Sequence, residues 1–169
     1  MTLPSWSEAL SHILSLALAY ALALPVGWDR EQDERSAGIR TFPLVAIASC
    51  GFVLVGIAIL GRSNPAQARL LEGLITGVGF IGGGAILKHG GKASGTATAA
   101  SLWATGALGA AVGYGLYDIA VVLSLTTFLT LRCSRPLKRA SHEQGEEPQA
   151  RVASAAPHGP ATTDRADHR

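Results

Sequence analysis

Residues 41–61 read TFPLVAIASCGFVLVGIAILG, a run with no charged side chain. A bilayer core about 30 Å thick needs roughly 20 mostly apolar residues per helix, and this stretch supplies them. Thr41 is placed to cap the helix, and Pro43 falls in its first turn, where a missing N–H costs little. Working upstream, a second such run covers Ala9 to Gly27 and is bracketed by Trp6 and Trp28. Those tryptophans are separated by about 33 Å at 1.5 Å per residue, which fits an aromatic belt at each face of one span. Working downstream, Asn64-Pro65 marks a turn into a third run. Beyond it lie a fourth run and a fifth that Asp118 can cap. The expected spans are 9–27, 42–61, 67–87, 97–115 and 118–132.

Charge placement agrees. The chain has 169 residues, 48% hydrophobic and 15% charged, and 12 of its 26 charged residues fall in the last 38 positions. Too few charges remain to solvate the outside of a globule, where about a quarter of residues would be charged, so a water-soluble domain is excluded. A net charge of +2 without a polybasic stretch gives nucleic acid nothing to bind. No Lys or Arg precedes Arg30, so the first run is a retained anchor rather than a cleaved signal peptide. With the N-terminus outside, Arg30, Arg35, Arg40, Lys88, Lys92, Arg132, Arg135, Lys138 and Arg139 face inward, against Arg62 and Arg69 outside. That asymmetry sets the orientation. The expectation is an all-α, polytopic inner-membrane protein, a bundle of five transmembrane helices within residues 1–134 with its C-terminus cytoplasmic. Residues 135–169, rich in Ala, Pro and charge, should form a disordered cytoplasmic tail.

Without a hydrophobic force between helices in lipid, small residues that admit close backbone approach decide packing. Ala97, Ser101, Thr105, Gly109 and Gly113 repeat at a spacing of four, as do Ser15, Ala19, Ala23 and Gly27; Gly73/Gly77 and Gly79/Gly83 do the same in the third run. The fifth run lacks such a row and is expected at the periphery. Gly77-Val-Gly79-Phe-Ile-Gly82 spells a dinucleotide fingerprint but lies inside an apolar span, without the strand and the acidic residue that give it meaning. Asp29, Glu31 and Asp33 alternate as in a calcium loop, yet Glu34 stands where glycine is needed. The simpler reading is a solvated loop salt-bridged by Arg30–Glu34 and Glu31–Arg35. Glu72 is the one carboxylate within a span and either serves function or pairs with Arg69 a turn away. No cluster has zinc spacing and no nucleophile has a base, so neither a metal, a cofactor nor an enzymatic reaction is expected. A cation pathway would want several oxygen ligands. It remains the rival reading, with the third helix broken at its glycines and Glu72 facing a cavity.

Three motifs resemble the MgtC/SapB family of bacterial inner-membrane proteins. Gly27-Trp-Asp29-Arg30-Glu31 with Arg35-Ser-Ala37-Gly38-Ile39-Arg40-Thr41 is similar to that family's first cytoplasmic loop. Gly77 to Lys88 resembles its glycine-rich third helix, and Gly95 to Gly106 the start of its fourth. The resemblance implies five spans, a cytoplasmic C-terminus, and a link to growth at low magnesium and to virulence. It also implies a non-enzymatic role in restraining the F-type ATP synthase or cation-handling ATPases rather than magnesium transport; a transporter or channel for Mg2+ or another small cation is the alternative that the residues themselves leave open. Expected partners are membrane lipids, such a membrane complex, and a second copy of the chain. Full-length relatives continue into an ACT-type domain. Only the polar tail follows Arg139, so a short form is expected. The residues expected to carry function are Asp29, Arg30, Glu31, Arg40, Thr41, Glu72, Gly79, Gly83, Thr98, Ser101 and Trp103.

Overall fold

The computed structural model describes residues 5–33, 37–89 and 92–134. The tail expected over 135–169 and the Glu34 and Arg35 partners of the loop salt bridges lie outside the described residues. The chain divides into two compact units, Met1–Arg132 and Cys133–Arg169, and the packing below is that of the first. Its described residues form helices α1 (Trp6–Asp33), α2 (Thr41–Leu60), α3 (Ala66–Gly84), α4 (Thr96–Gly113) and α5 (Tyr117–Ser134). A small antiparallel hairpin, β1 (Leu87–His89) with β2 (Lys92–Ser94), joins α3 to α4, with Leu87 opposite Ser94. The class is all-α.

Helix ends show where local chemistry differs from expectation. Ser5 and Glu8 form a reciprocal capping box at α1. The Ser5 N–H donates to the Glu8 carboxylate at 2.9 Å and the Glu8 N–H to the Ser5 hydroxyl at 3.4 Å. Instead of stopping at Gly27, α1 continues through Pro25 to Asp33, about 42 Å in all, so its last turns project beyond a 30 Å core. Thr41 is the first residue of α2 rather than its cap. The Gly38 carbonyl accepts the N–H groups of both Thr41 and Phe42, at 3.0 and 3.2 Å, which leaves a side-chain cap nothing to satisfy. Asn64 opens α3 as expected, its side-chain oxygen accepting the Ala66 N–H at 2.9 Å. That helix stops at Gly84, and Leu87, expected inside it, belongs to β1. Gly115, at φ +76°, ends α4 in a Schellman turn, with the Leu116 N–H reaching the Ala111 carbonyl at 2.9 Å. Helix α5 then starts at Tyr117, so Asp118 lies in its first turn and does not cap it.

Small residues dictate the packing. Helix α4 is the hub, touching α1, α2 and α3. A Cβ on Gly109 would strike the Ala46 carbonyl, and one on Gly113 would meet Val53 Cβ at 2.7 Å and the Cys50 carbonyl oxygen at 2.9 Å. The two contacts advance together, so α2 and α4 run parallel, backbone against backbone. Gly82 meets the Ala99 carbonyl oxygen at 3.1 Å and Gly106 meets Val78, so α3 runs antiparallel to α4. Ala19, Ala23 and Gly27 are buried along α1, as their spacing implied. By contrast Gly73, Gly77, Gly79 and Gly83 have open space where a Cβ would stand; Gly73 and Gly77 border a groove beside α2, and Gly79 and Gly83 are exposed on α3. Helix α5 does carry a short row, contrary to expectation. Ala120 and Ser124 are buried, and the Ser124 hydroxyl donates to the Leu22 carbonyl of α1 at 2.7 Å. Leu131 is also buried, with Phe128 packed beside it, while Val122, Leu125 and Leu129 are exposed on the opposite side, which fits a peripheral place.

Large apolar side chains face outward while several small polar ones are buried beside the apolar core. Ser49, Thr98, Ser101 and Thr105 are buried while Phe80 is 85% and Ile59 75% exposed. Water would penalise that surface at about 25 cal/mol per Å² of apolar area; hydrocarbon does not. Trp6–Gln32, Thr41–Leu60 and Tyr117–Ser134 are long and apolar enough to cross a membrane.

At the Arg62 end a polar clasp joins two connections. Arg62 Nη1 donates to the Tyr114 carbonyl, the Tyr114 hydroxyl bonds to Gln67 Oε1 at 3.0 Å, and Gln67 Nε2 donates to the Gly61 carbonyl at 2.9 Å.

Candidate functional site

The end of the bundle opposite that clasp gathers most of the expected residues. The helix directions bring together the last turns of α1, the start of α2 and the start of α4. Asp29 and Arg30, expected in a solvated loop, are instead buried in α1, 1% and 4% exposed, and Arg30 Nη2 donates to Asp29 Oδ2 at 2.9 Å. The correction has a clear cause: Gly27 lets α2 approach until Ile39 Cα and Phe42 Cβ stand 3.2 Å from where its Cβ would be, and that closure takes the next turn of α1 out of solvent. Glu31 remains exposed, and its carboxylate accepts the Ile39 N–H at 3.0 Å, tying α1 to the lead of α2. A Cβ on Gly38 would run into that carboxylate, which is why glycine stands there.

Thr98 and Ser101 are buried in the first turns of α4. The Ser101 hydroxyl donates to the Thr98 carbonyl at 3.0 Å, and the Thr105 hydroxyl to the Ser101 carbonyl at 2.8 Å. Serine and threonine satisfy their hydroxyls within their own helix this way and still allow close packing. Arg40 is exposed just ahead of α2, and Thr41 is half-buried as its first residue.

Four expected positions lie elsewhere. Glu72, Gly79 and Gly83 are exposed on α3, and Trp103 is 53% exposed on the outside of α4. The anticipated Arg69–Glu72 pair does not form among the described residues. Helix α3 is continuous through its glycines rather than broken. Glu72 lines neither of the two larger cavities.

Neither cavity was among the sequence-based expectations. One, of about 710 Å³, opens near the start of α1 and is lined by Glu8, Ser11, His12, Ser15 and Arg62 above an apolar base at Leu18 and Leu54. The polar spacing 8, 11, 12, 15 puts those side chains on one helical face, a signal that was available in the sequence. The other, of about 690 Å³, is an apolar groove between α2 and α3.

Comparison with known proteins bears directly on the chain's family. The MgtC family model matches residues 16–140, from within α1 to beyond the end of α5. The chain belongs to the MgtC family. Among its relatives, Protein SrpB of Synechococcus elongatus is 39% identical over 136 residues, covering 73% of this chain and 75% of SrpB. Protein MgtC of Brucella abortus is 34% identical over 132 residues, covering 78% of this chain but 55% of that protein. YhiD of Escherichia coli, whose name proposes magnesium transport, is 33% identical over 125 residues, covering 70% of this chain and 58% of YhiD. The chain thus spans little more than half the length of these last two. No solved structure matches it. Family membership and the apolar helices together make this MgtC-family chain a membrane protein.

Proposed function

We propose that this MgtC-family chain is a non-enzymatic, five-span inner-membrane protein that modulates another membrane complex by binding it. The N-terminus is outside and the C-terminus cytoplasmic. Helices α3 and α4 cross the bilayer as well, because they lie alongside α2 over matching lengths, with Gly82 against Ala99 and Gly109 against Ala46.

The observation that carries the reading is the outward face of α3. Glu72, Thr76, Gly79 and Gly83 follow at i, i+4, i+7 and i+11, and so share one face. All four are exposed, neither glycine has a neighbour within 4 Å of a Cβ position, and the Thr76 hydroxyl is satisfied by the Glu72 carbonyl at 2.9 Å. Such a face admits a partner helix to backbone contact and offers one carboxylate for polar recognition near the membrane surface. The exposed Glu31, beside the buried Asp29 and Arg30, forms the cytoplasmic side of the contact. The F-type ATP synthase is the proposed partner, and adaptation to low magnesium the setting. The experiment is a pulldown in mild detergent. ATP synthase should co-purify with the wild-type chain and be lost with Gly83→Leu; a pulldown that enriches no membrane complex overturns the reading.

A second reading, transport of Mg2+ or another small cation, draws on a different feature, the polar cleft that holds Glu8 and His12. Reconstituted vesicles test it. Cation flux that falls with Glu8→Gln favours transport, and the absence of flux removes it.

A further inference from the structure

We propose that the groove between α2 and α3 is a binding site for one anionic phospholipid, its acyl chain lying in the groove and its phosphate on Arg40. The proposal rests on α2 and α3 being membrane spans and is independent of any protein partner.

Three observations converge. First, the groove has a closed end and an open end. Leu70 seats against Gly56, so closely that a Cβ there would overlap Leu70 Cδ1, and this contact seals the groove beside Phe52. From there it runs to Arg40 and Thr41 at the start of α2. Second, its length fits a single lipid leaflet. Thr41 to Phe52 is about 16 Å of helix, against about 15 Å for half of a 30 Å hydrocarbon core. A transmembrane helix would need a track across both leaflets; an acyl chain needs one. The lining is apolar, with exposed Leu44 and Phe52 on α2 and open Gly73 and Gly77 on α3. Third, the open end is cationic. Arg40 is exposed, and its guanidinium makes no hydrogen bond or ion pair among the described residues. An arginine presents a fork of donors suited to phosphate oxygens. A zwitterionic lipid would fill the same groove, but its net charge gives Arg40 less to hold.

Native mass spectrometry of the full chain, released from micelles doped with either phosphatidylglycerol or phosphatidylcholine, tests this. The wild type should retain phosphatidylglycerol preferentially. Arg40→Ala should weaken that preference about five-fold, the effect of one basic residue at a membrane surface. Gly77→Leu, which fills the groove from an open position, should lower retention of both lipids. Arg69→Ala, at the opposite end of α3, should change neither. All three positions are exposed, and unchanged melting temperatures will show that the variants fold. Equal retention of the two lipids by the wild type overturns the proposal. So does a preference that survives Arg40→Ala, or one that Arg69→Ala removes. Lipid retention that survives Gly77→Leu also overturns it, and if that substitution instead splits a dimer, the groove is an interface between copies.

Discussion

Placing a methyl group on two glycines of adjacent helices should move stability in opposite directions. Gly109→Ala puts a Cβ onto the Ala46 carbonyl, with the Ala46 carbonyl carbon and Cα both at 2.9 Å. Carbon atoms rest at about 3.5–4.0 Å, so α2 and α4 must separate by roughly 1 Å. The obstacle is backbone and has no rotamer to yield. Overpacking of this kind costs about 1–3 kcal/mol. Gly79→Ala meets nothing within 4 Å and removes a flexible residue from a helix, a gain of about 0.5–1 kcal/mol. The two variants should therefore differ by about 1.5–4 kcal/mol. Reversible unfolding of the purified protein in mixed micelles, followed by circular dichroism, reads this difference. If both substitutions shift the midpoint equally, or Gly79→Ala is the more damaging, then α4 is not seated on α2 as described and the hub assignment fails.

Three other perturbations test separate contacts. Arg30→Met leaves the Asp29 carboxylate buried beside an apolar chain and should cost about 3–5 kcal/mol, while Asp29→Asn combined with Arg30→Met should recover most of that loss; a double-mutant cycle on unfolding midpoints measures the coupling. Glu31→Gln keeps an acceptor for the Ile39 N–H but removes a charge-assisted bond, so amide exchange at Ile39 should quicken while the melting temperature hardly moves, and unaltered exchange would mean the tie is not made. Ser124→Ala should cost about 1 kcal/mol and Ser124→Leu considerably more, because only a small residue lets α5 reach Leu22; a tolerated leucine would place α5 elsewhere.

The helices were legible because each apolar run reports its own environment. So was the hub: the spacing of four through Ser101, Thr105, Gly109 and Gly113 says that one face of α4 is crowded, and α2 occupies it. What spacing cannot give is whether a row finds its partner within the chain. Gly79 and Gly83 read the same as Gly109 and Gly113, yet nothing among the described residues covers them. Asp29 and Arg30 were misread for a related reason. Charges at a predicted span's end look solvated, and their burial depends on α2 closing against Gly27, a tertiary event. Ser5 and Glu8 are a different case, since the capping box is written in adjacent letters and could have been read. The β1–β2 hairpin also had a local sign in Gly90-Gly91, a dipeptide suited to two-residue turns.

The clasp of Arg62, Gln67 and Tyr114 makes the two rims of the bundle mechanically unequal. Sliding α3 along α4 would stretch its hydrogen bonds at one rim, at about 1 kcal/mol apiece. At the other rim the same slide is resisted by a three-residue hairpin ladder, its strands Leu87–His89 and Lys92–Ser94. The two rims therefore resist the slide by different means, side-chain hydrogen bonds at the Tyr114 rim and, at the other, backbone pairing together with Gly82 seated on the Ala99 carbonyl.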